Sequence, residues 1–152
     1  LGIVEVDALG QLHQPAFGQG CATCHLPHGG DTPKLLRADN VNSLCLECHG
    51  PEARPQRLEG EARLTIFGGK VKLPESYFNE VVRLPIKYGR GHPTERHPVK
   101  DQMDAQDASK VRVALNCASC HQPHASAQPG LLAKDQANNM RFCASCHSNL
   151  GS

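Results

Sequence analysis

One pattern, Cys-x-x-Cys-His, constrains this chain more than any other feature. It occurs four times in 152 residues, and every cysteine belongs to one copy. In chain order, as motifs one to four, the cysteine pairs are Cys21/Cys24, Cys45/Cys48, Cys117/Cys120 and Cys143/Cys146. The histidines that follow them are His25, His49, His121 and His147. We therefore expect the fold to contain four sites of similar chemistry, one at each motif.

The spacing within each motif matches what covalent attachment of haem c requires. Residues three apart lie on the same face of a helical turn, so both sulfurs can form thioethers with one porphyrin. The next residue then supplies an axial nitrogen to the iron. Four zinc knuckles are the competing interpretation, but they would pool cysteines around a few metals and need no histidine at a fixed position. The pattern predicts four haems c.

Five further histidines are available for the opposite faces of the four irons: His13, His28, His92, His97 and His124. His28 and His124 each come three residues after a motif histidine, too close to reach the far side of the same haem. We therefore predict that His28 caps the iron of motif two and His124 that of motif four. Full coordination by two histidines per iron would leave one imidazole in surplus.

His92 and His97 each precede a proline, which favours extended backbone at the histidine. We assign them to the irons of motifs one and three, which makes His13 the surplus imidazole. Met103 and Met140 are the alternative ligands, and methionine ligation would raise the reduction potential. Met140 lies three residues before its own motif, too close for the distal face.

The motifs form two pairs that indicate an internal duplication. Three features of the two halves lie equally far from the first cysteine of their motif pair. They are Pro33 and Pro129, Leu35-Leu36 and Leu131-Leu132, and Asp39 and Asp135. We predict one tetrahaem domain over residues 1–152. Its parts are a first haem pair (13–50), a linker with distal histidines (51–116) and a second haem pair (117–152).

Composition argues against an ordinary side-chain core. Aromatic residues are 4% of the chain, Trp is absent, and there are 14 Gly and 11 Pro. This balance predicts a mostly irregular, loop-rich fold with short α-helices at the motifs, organised around four stacked haems that supply most of the core. Without haem we expect little stable fold.

Between the two motif pairs, the sequence predicts one small β-hairpin. Its strands are Arg63–Phe67 and Lys70–Leu73, which flank Gly68-Gly69. Pro74–Arg90 fits a short helix or extended chain equally well, and Asp101–Ser109 reads as a loop.

Charge and hydropathy narrow the range of partners. A formal net charge of +1 with no basic patch does not indicate nucleic-acid binding. No apolar run approaches the roughly 18 residues of a membrane span. The chain begins at Leu1-Gly2 with neither Met nor a signal peptide, so we expect a processed, soluble protein.

Both halves resemble the doubled-CXXCH multihaem cytochrome family. The shared features are Cys-x-x-Cys-His-x-Pro-His, a Leu-Leu step and a second motif, over residues 21–49 and 117–147. The central histidine segment is similar to linkers in extracellular multihaem cytochromes of metal-respiring microbes, including the OmcE-like tetrahaem filaments. Two histidines at each iron would leave no open position for a substrate, so we expect electron transfer rather than enzyme activity, in agreement with the resemblance.

It further implies an extracellular or cell-surface location, redox partner proteins or extracellular acceptors, and a head-to-tail homopolymer. In such filaments one iron is capped by a histidine of the next subunit, and we hypothesise that His13 is that donor, so that replacing it with alanine abolishes polymers. A monomeric periplasmic shuttle is the first alternative. A haem enzyme converting nitrite or hydroxylamine is the second, and it would need one open iron site.

Overall fold

A computed structural model describes residues 11–84, 115–134 and 141–147. Its α-helices are α1 (Gln14–Gly18), α2 (Val41–His49), α3 (Ser76–Asn79), α4 (Cys117–Cys120) and α5 (Arg141–Ala144). Its strands are β1 (Gln11–Leu12), β2 (Gln56–Arg57), β3 (Leu64–Ile66), β4 (Val71–Leu73) and β5 (Ala125–Ser126). Three-residue 3-10 turns cover Cys21–Thr23, Pro33–Leu35 and Pro129–Leu131. The prediction of a loop-rich fold with short helices is confirmed, while haem stacking stays a prediction.

The chain divides into two compact units, with the boundary between Phe17 and Gly18. The amino-terminal unit comprises residues 18–84 of the described chain and carries motifs one and two. The carboxy-terminal unit joins residues 11–17 to 115–134 and 141–147, and it carries motifs three and four. The short segment before motif one therefore folds with the second pair of motifs.

The predicted hairpin is confirmed in the amino-terminal unit. Strands β3 and β4 pair antiparallel, with Leu64 opposite Leu73 and Ile66 opposite Val71. Gly68 and Gly69 have φ of 63° and 85°, a region that glycine enters without the steric cost of a Cβ atom. The register places the apolar residues of both strands on one face.

A third strand and a helix extend this hairpin. Strand β2 pairs antiparallel with β3, giving the order β2-β3-β4. It was not predicted, because its two residues are polar and exposed and carry no alternating pattern. Helix α3 shows that part of the ambiguous stretch Pro74–Arg90 is helical. Residues 85–90 of that stretch and the predicted loop Asp101–Ser109 lie outside the described residues.

The apolar core of the amino-terminal unit lies behind motif two. Ile66, Val71, Leu73 and Phe78 are buried together, and Cys48 packs partly against them. The Glu47 carboxylate of α2 accepts the backbone N–H at the hairpin turn, at 2.7 Å from the nitrogen of Phe67. Packing and this hydrogen bond together hold the helix that carries motif two against the sheet.

The carboxy-terminal unit is organised differently. Strands β1 and β5 form a two-stranded antiparallel ribbon, with Gln11 opposite Ser126 and Leu12 opposite Ala125. Within its described residues no apolar side chain is buried, so this unit has no side-chain core of its own there. In the ranges that the structure covers, no helix has the length and apolarity to cross a membrane.

The core of the amino-terminal unit yields a stability prediction. Leu73 is 2% exposed, so Leu73→Ala should lower the free energy of unfolding by about 3 kcal/mol through lost burial and the cavity left behind. Leu58→Ala is the matched control, since Leu58 is 43% exposed and its truncation should cost well under about 1 kcal/mol. Thermal unfolding followed by circular dichroism measures both. Equal losses in the two variants would contradict this core.

Candidate haem-binding sites

Each motif lies on a single helical turn. In motifs one, three and four, the N–H of the histidine donates to the carbonyl of the first cysteine, with N–O distances of 2.9, 3.0 and 2.9 Å. Motif two lies inside α2, whose first turn is capped by the side chain of Asn40 accepting from the backbone of Ser43 at 2.8 Å. The predicted short helices at the motifs are confirmed, and this turn is the geometry that brings two cysteines and a histidine together.

Three motif histidines are fixed by hydrogen bonds from their rings to backbone carbonyls. Nδ1 of His25 lies 2.8 Å from the carbonyl oxygen of Lys34, and Nδ1 of His121 lies 2.8 Å from that of Gly130. For His49 the acceptor is the carbonyl of Val82, at 2.7 Å. A carbonyl can only accept, so the proton sits on Nδ1, and Nε2 keeps the lone pair that a metal requires.

A repeated backbone turn aims two of these carbonyls. Lys34 and Leu35 have φ of 57° and 54°, and Gly130 and Leu131 have φ of 64° and 56°. Consecutive left-handed residues are unfavourable, at roughly 1–2 kcal/mol for each residue with a Cβ atom. The same strained turn in both units therefore requires compensating interactions.

Those interactions are backbone hydrogen bonds between the turn and the motif. Leu26 donates to Leu35 at 2.7 Å, and Arg37 donates to Cys24 at 2.9 Å. The carboxy-terminal unit repeats both bonds at equal lengths, from Gln122 to Leu131 and from Ala133 to Cys120. The shared offsets noted in the sequence thus correspond to a shared three-dimensional loop.

Motif two uses a different support. His49 ends α2, and its carbonyl accepts from the backbone of Leu84 at 2.9 Å. Arg83 donates to the carbonyl of Ala53 at 2.6 Å, which fastens the same segment beside the helix. The imidazole of His49 is therefore oriented by a segment more than 30 residues away in the chain.

None of the eight cysteines, which all lie within the described ranges, forms a disulfide. Burial raises the pKa of Cys48 to about 11, with further contributions from Glu47 and Cys24 and an opposing one from Arg83. Burial likewise raises the pKa of Cys24 and of Cys120.

The thiols also show that the motifs of each unit lie near one another. In the amino-terminal unit, the charge of Cys24 contributes to the raised pKa of Cys48. In the carboxy-terminal unit, Cys146, Cys117 and Cys143 contribute to that of Cys120. Among the described Cys, His, Asp and Glu side chains, no three converge as a metal ion would require.

Comparison with protein families agrees with this geometry. The model of the doubled CXXCH motif matches residues 13–54 and again residues 110–152, together more than half of the chain. The chain belongs to the doubled CXXCH motif family. The doubled motif indicates covalent binding of haem c in a multihaem cytochrome of electron transfer. Neither the comparison with curated proteins nor that with solved structures finds a match.

The residues of this doubled-CXXCH cytochrome fit the cofactor. The paired thiols on one turn are placed for two thioether bonds, and the anchored imidazoles present Nε2 for axial ligation. The carboxy-terminal unit, with no buried apolar side chain among its described residues, suits a cofactor that supplies apolar surface. Bound haem supplies a one-electron iron couple, and the chain fixes its position and one axial ligand.

The candidate distal ligands have different surroundings. His28 and His124 are exposed, His28 in a turn closed by Gly29 donating to Leu26 at 3.3 Å and His124 directly before β5. His13 is half-buried, and its backbone N–H donates to the carbonyl of His124 at 2.8 Å. The remaining candidates, His92, His97, Met103 and Met140, lie outside the described residues. The assignment of each distal ligand to an iron stays a prediction.

Sequence reasoning did not find the carbonyls of Lys34, Val82 and Gly130 as partners of the motif histidines. A carbonyl belongs to every residue, so no residue type marks it. The repeated Pro-x-Leu step was a partial signal, because it marks the turn that carries two of the three acceptors.

The two units differ in charge at equivalent positions. In the amino-terminal unit, Arg37 donates from Nε to the carbonyl of Ala22 inside motif one, at 2.7 Å. Ala133 occupies the matching position beside motif three, where Ala118 corresponds to Ala22. A nearby cation favours ferrous iron, which carries one positive charge fewer, so Arg37 should raise the reduction potential of the motif-one haem.

Replacing Arg37 with alanine should therefore lower one haem potential. The change should be on the order of 1 kcal/mol, or about 40 mV for one electron, the size expected when a single partly screened charge near a haem is removed. Ala133→Arg is the reciprocal variant and should raise a potential in the other unit. Spectroelectrochemical titration measures both, and unchanged potentials in Arg37→Ala would contradict an electrostatic role.

Proposed function

We propose that this chain carries four haems c, each iron held between two imidazoles, and passes electrons along them. The observation that carries the proposal is the hydrogen bond from Nδ1 of His25, His49 and His121 to a backbone carbonyl. Such a bond fixes the ring and increases the basicity of the opposite nitrogen, which strengthens an axial ligand. Ligation by two histidines leaves no position at iron for a substrate, so the function is electron transfer rather than catalysis.

The distal ligands of the proposal cross between neighbouring motifs. His28 caps the iron of motif two, and His124 caps that of motif four. The electrostatic proximity of Cys24 to Cys48, and of Cys120 to Cys143, supports this crosswise arrangement. Haems attached at neighbouring motifs lie close enough for electrons to pass between them in succession, with each potential set by ligands, burial and local charge.

The number and state of the haems test this function. We expect four haems per chain by the pyridine haemochromogen assay and by intact mass, and low-spin iron in every one. The double variant Cys117→Ser, Cys120→Ser should lose one haem, because both thioether positions of motif three are gone. Ser119→Ala, inside the same motif, is the control and should keep all four. Fewer than four haems in the unaltered protein would refute the tetrahaem proposal.

We further propose that the chain acts in extracellular electron transfer as a subunit of a cytochrome filament. The support is an imbalance in the sequence: five non-motif histidines are available for four distal positions. A surplus imidazole offered to the next copy makes a head-to-tail contact that does not close and so propagates. The physiological partners are then redox proteins and extracellular acceptors, at the cell surface or beyond it.

Negative-stain microscopy of the purified cytochrome tests the filament directly. Polymers of regular repeat are expected at neutral pH and moderate salt. Excess free imidazole added to the holoprotein is the control and should disperse the polymers, because it competes with the donated histidine for iron. Uniform monomers at every concentration would instead favour the alternative of a periplasmic shuttle that docks transiently on a reductase or an outer-membrane conduit. A high-spin iron in the unaltered monomer would reopen the question of a haem enzyme.

A further inference from the structure

The segment before motif one lies in the carboxy-terminal unit rather than beside its own motif. Strand β1 pairs with β5 in a register that sets Leu12 opposite Ala125, and the next pair in that register is His13 and His124. The N–H of His13 donates to the carbonyl of His124 at 2.8 Å. Two of the five non-motif histidines are therefore neighbours on adjoining backbone segments.

The backbone of His13 is fixed on both sides. Its carbonyl accepts from Ala16 at 3.0 Å and from Phe17 at 3.3 Å, the bonds that begin α1. Residues directly opposite in an antiparallel ribbon point their side chains to the same side. Continuing the β1–β5 register thus brings the imidazole of His13 to the side of the ribbon on which His124 lies.

The same ribbon is joined to the motif-three loop through one residue, Gly130. The side-chain oxygen of Gln11 accepts from the N–H of Gly130 at 2.9 Å. The carbonyl of Gly130 accepts from Nδ1 of His121 at 2.8 Å. Strand β1 and the proximal histidine of motif three are therefore both held by Gly130, the strand through its N–H and the histidine through its carbonyl.

The histidines of this unit match the needs of two irons. Residues 11–17, 115–134 and 141–147 contain four, namely His13, His121, His124 and His147. His121 and His147 belong to the motifs, which leaves two imidazoles for two distal positions. With His124 taking the iron of motif four, His13 remains for that of motif three.

We propose that His13 is the distal ligand of the motif-three haem within its own chain. The assignment rests on the proposed coordination of each iron by two histidines. It replaces both the assignment of His92 or His97 to the motif-three iron and the hypothesis that His13 is donated to the next subunit. A filament ligand, if one is exported, must then come from the segment of His92 and His97. The backbone bonds of His13 position the ligand before any second copy is present.

The spin state of the ferric holoprotein tests the assignment. His13→Ala should convert one haem in four from low-spin to high-spin by electron paramagnetic resonance and resonance Raman spectroscopy, and added imidazole should restore the low-spin signal. Gln14→Ala, at the neighbouring position, is the matched control and should stay fully low-spin. In size-selected monomers of the unaltered protein, the iron should be low-spin at every concentration.

If the His13→Ala protein is not produced with its haems attached, a second variant still tests the assignment. His13→Met retains a sixth ligand, so the iron should stay low-spin while one reduction potential rises. A fully low-spin His13→Ala protein, or unchanged potentials in His13→Met, would overturn the assignment. So would a high-spin haem in unaltered monomers that disappears on assembly, since the ligand would then come from a neighbour.

The haem content of the unaltered protein separates this inference from the proposed function. Fewer than four haems there would refute the tetrahaem proposal, and a spin change between the unaltered protein and His13→Ala would still establish His13 as a ligand. Four low-spin haems in both proteins would retain the proposed function and remove His13 from the coordination sphere.

Discussion

The hydrogen bond from Nδ1 of a motif histidine to a backbone carbonyl is the interaction on which the rest of this structure depends. An imidazole on a short helical turn can rotate about two side-chain torsions, and without a partner it would not present Nε2 in one direction. The carbonyls of Lys34 and Gly130 remove that freedom, and each is aimed by two consecutive left-handed residues. The fold accepts local strain at these turns and in return fixes an imidazole in the orientation that a metal ligand needs.

The duplication explains how one solution serves both units. The loops after motifs one and three share their turn conformations, their ring-to-carbonyl bond and their two backbone hydrogen bonds. Glycine suits the left-handed position at 130, whereas Lys34 adopts it with a Cβ atom present. The geometry is thus set by the hydrogen bonds, and glycine only lowers its cost.

The two units differ in their apolar core and in the charged groups near their motifs. The amino-terminal unit has a small sheet, an apolar core behind Cys48, and the cations Arg37 and Arg83 near its thiols. Within the described chain, the carboxy-terminal unit is held by a two-stranded ribbon without a buried apolar side chain. Haems bound in such different surroundings would have different reduction potentials, because burial and nearby charge help to set the potential of each iron.

The sequence by itself determined the chemistry: the motif spacing indicates haem c, the repeated offsets indicate two related halves, and the Gly68-Gly69 hairpin was predicted at nearly its observed length. These features are local, because a helical turn and a tight turn are encoded by residues a few positions apart. Only the tertiary structure decided which carbonyl holds each imidazole and that His13 lies beside His124. The carbonyl is common to every residue and the pairing of β1 with β5 joins segments more than 100 residues apart, so neither leaves a periodic or compositional signal in the sequence.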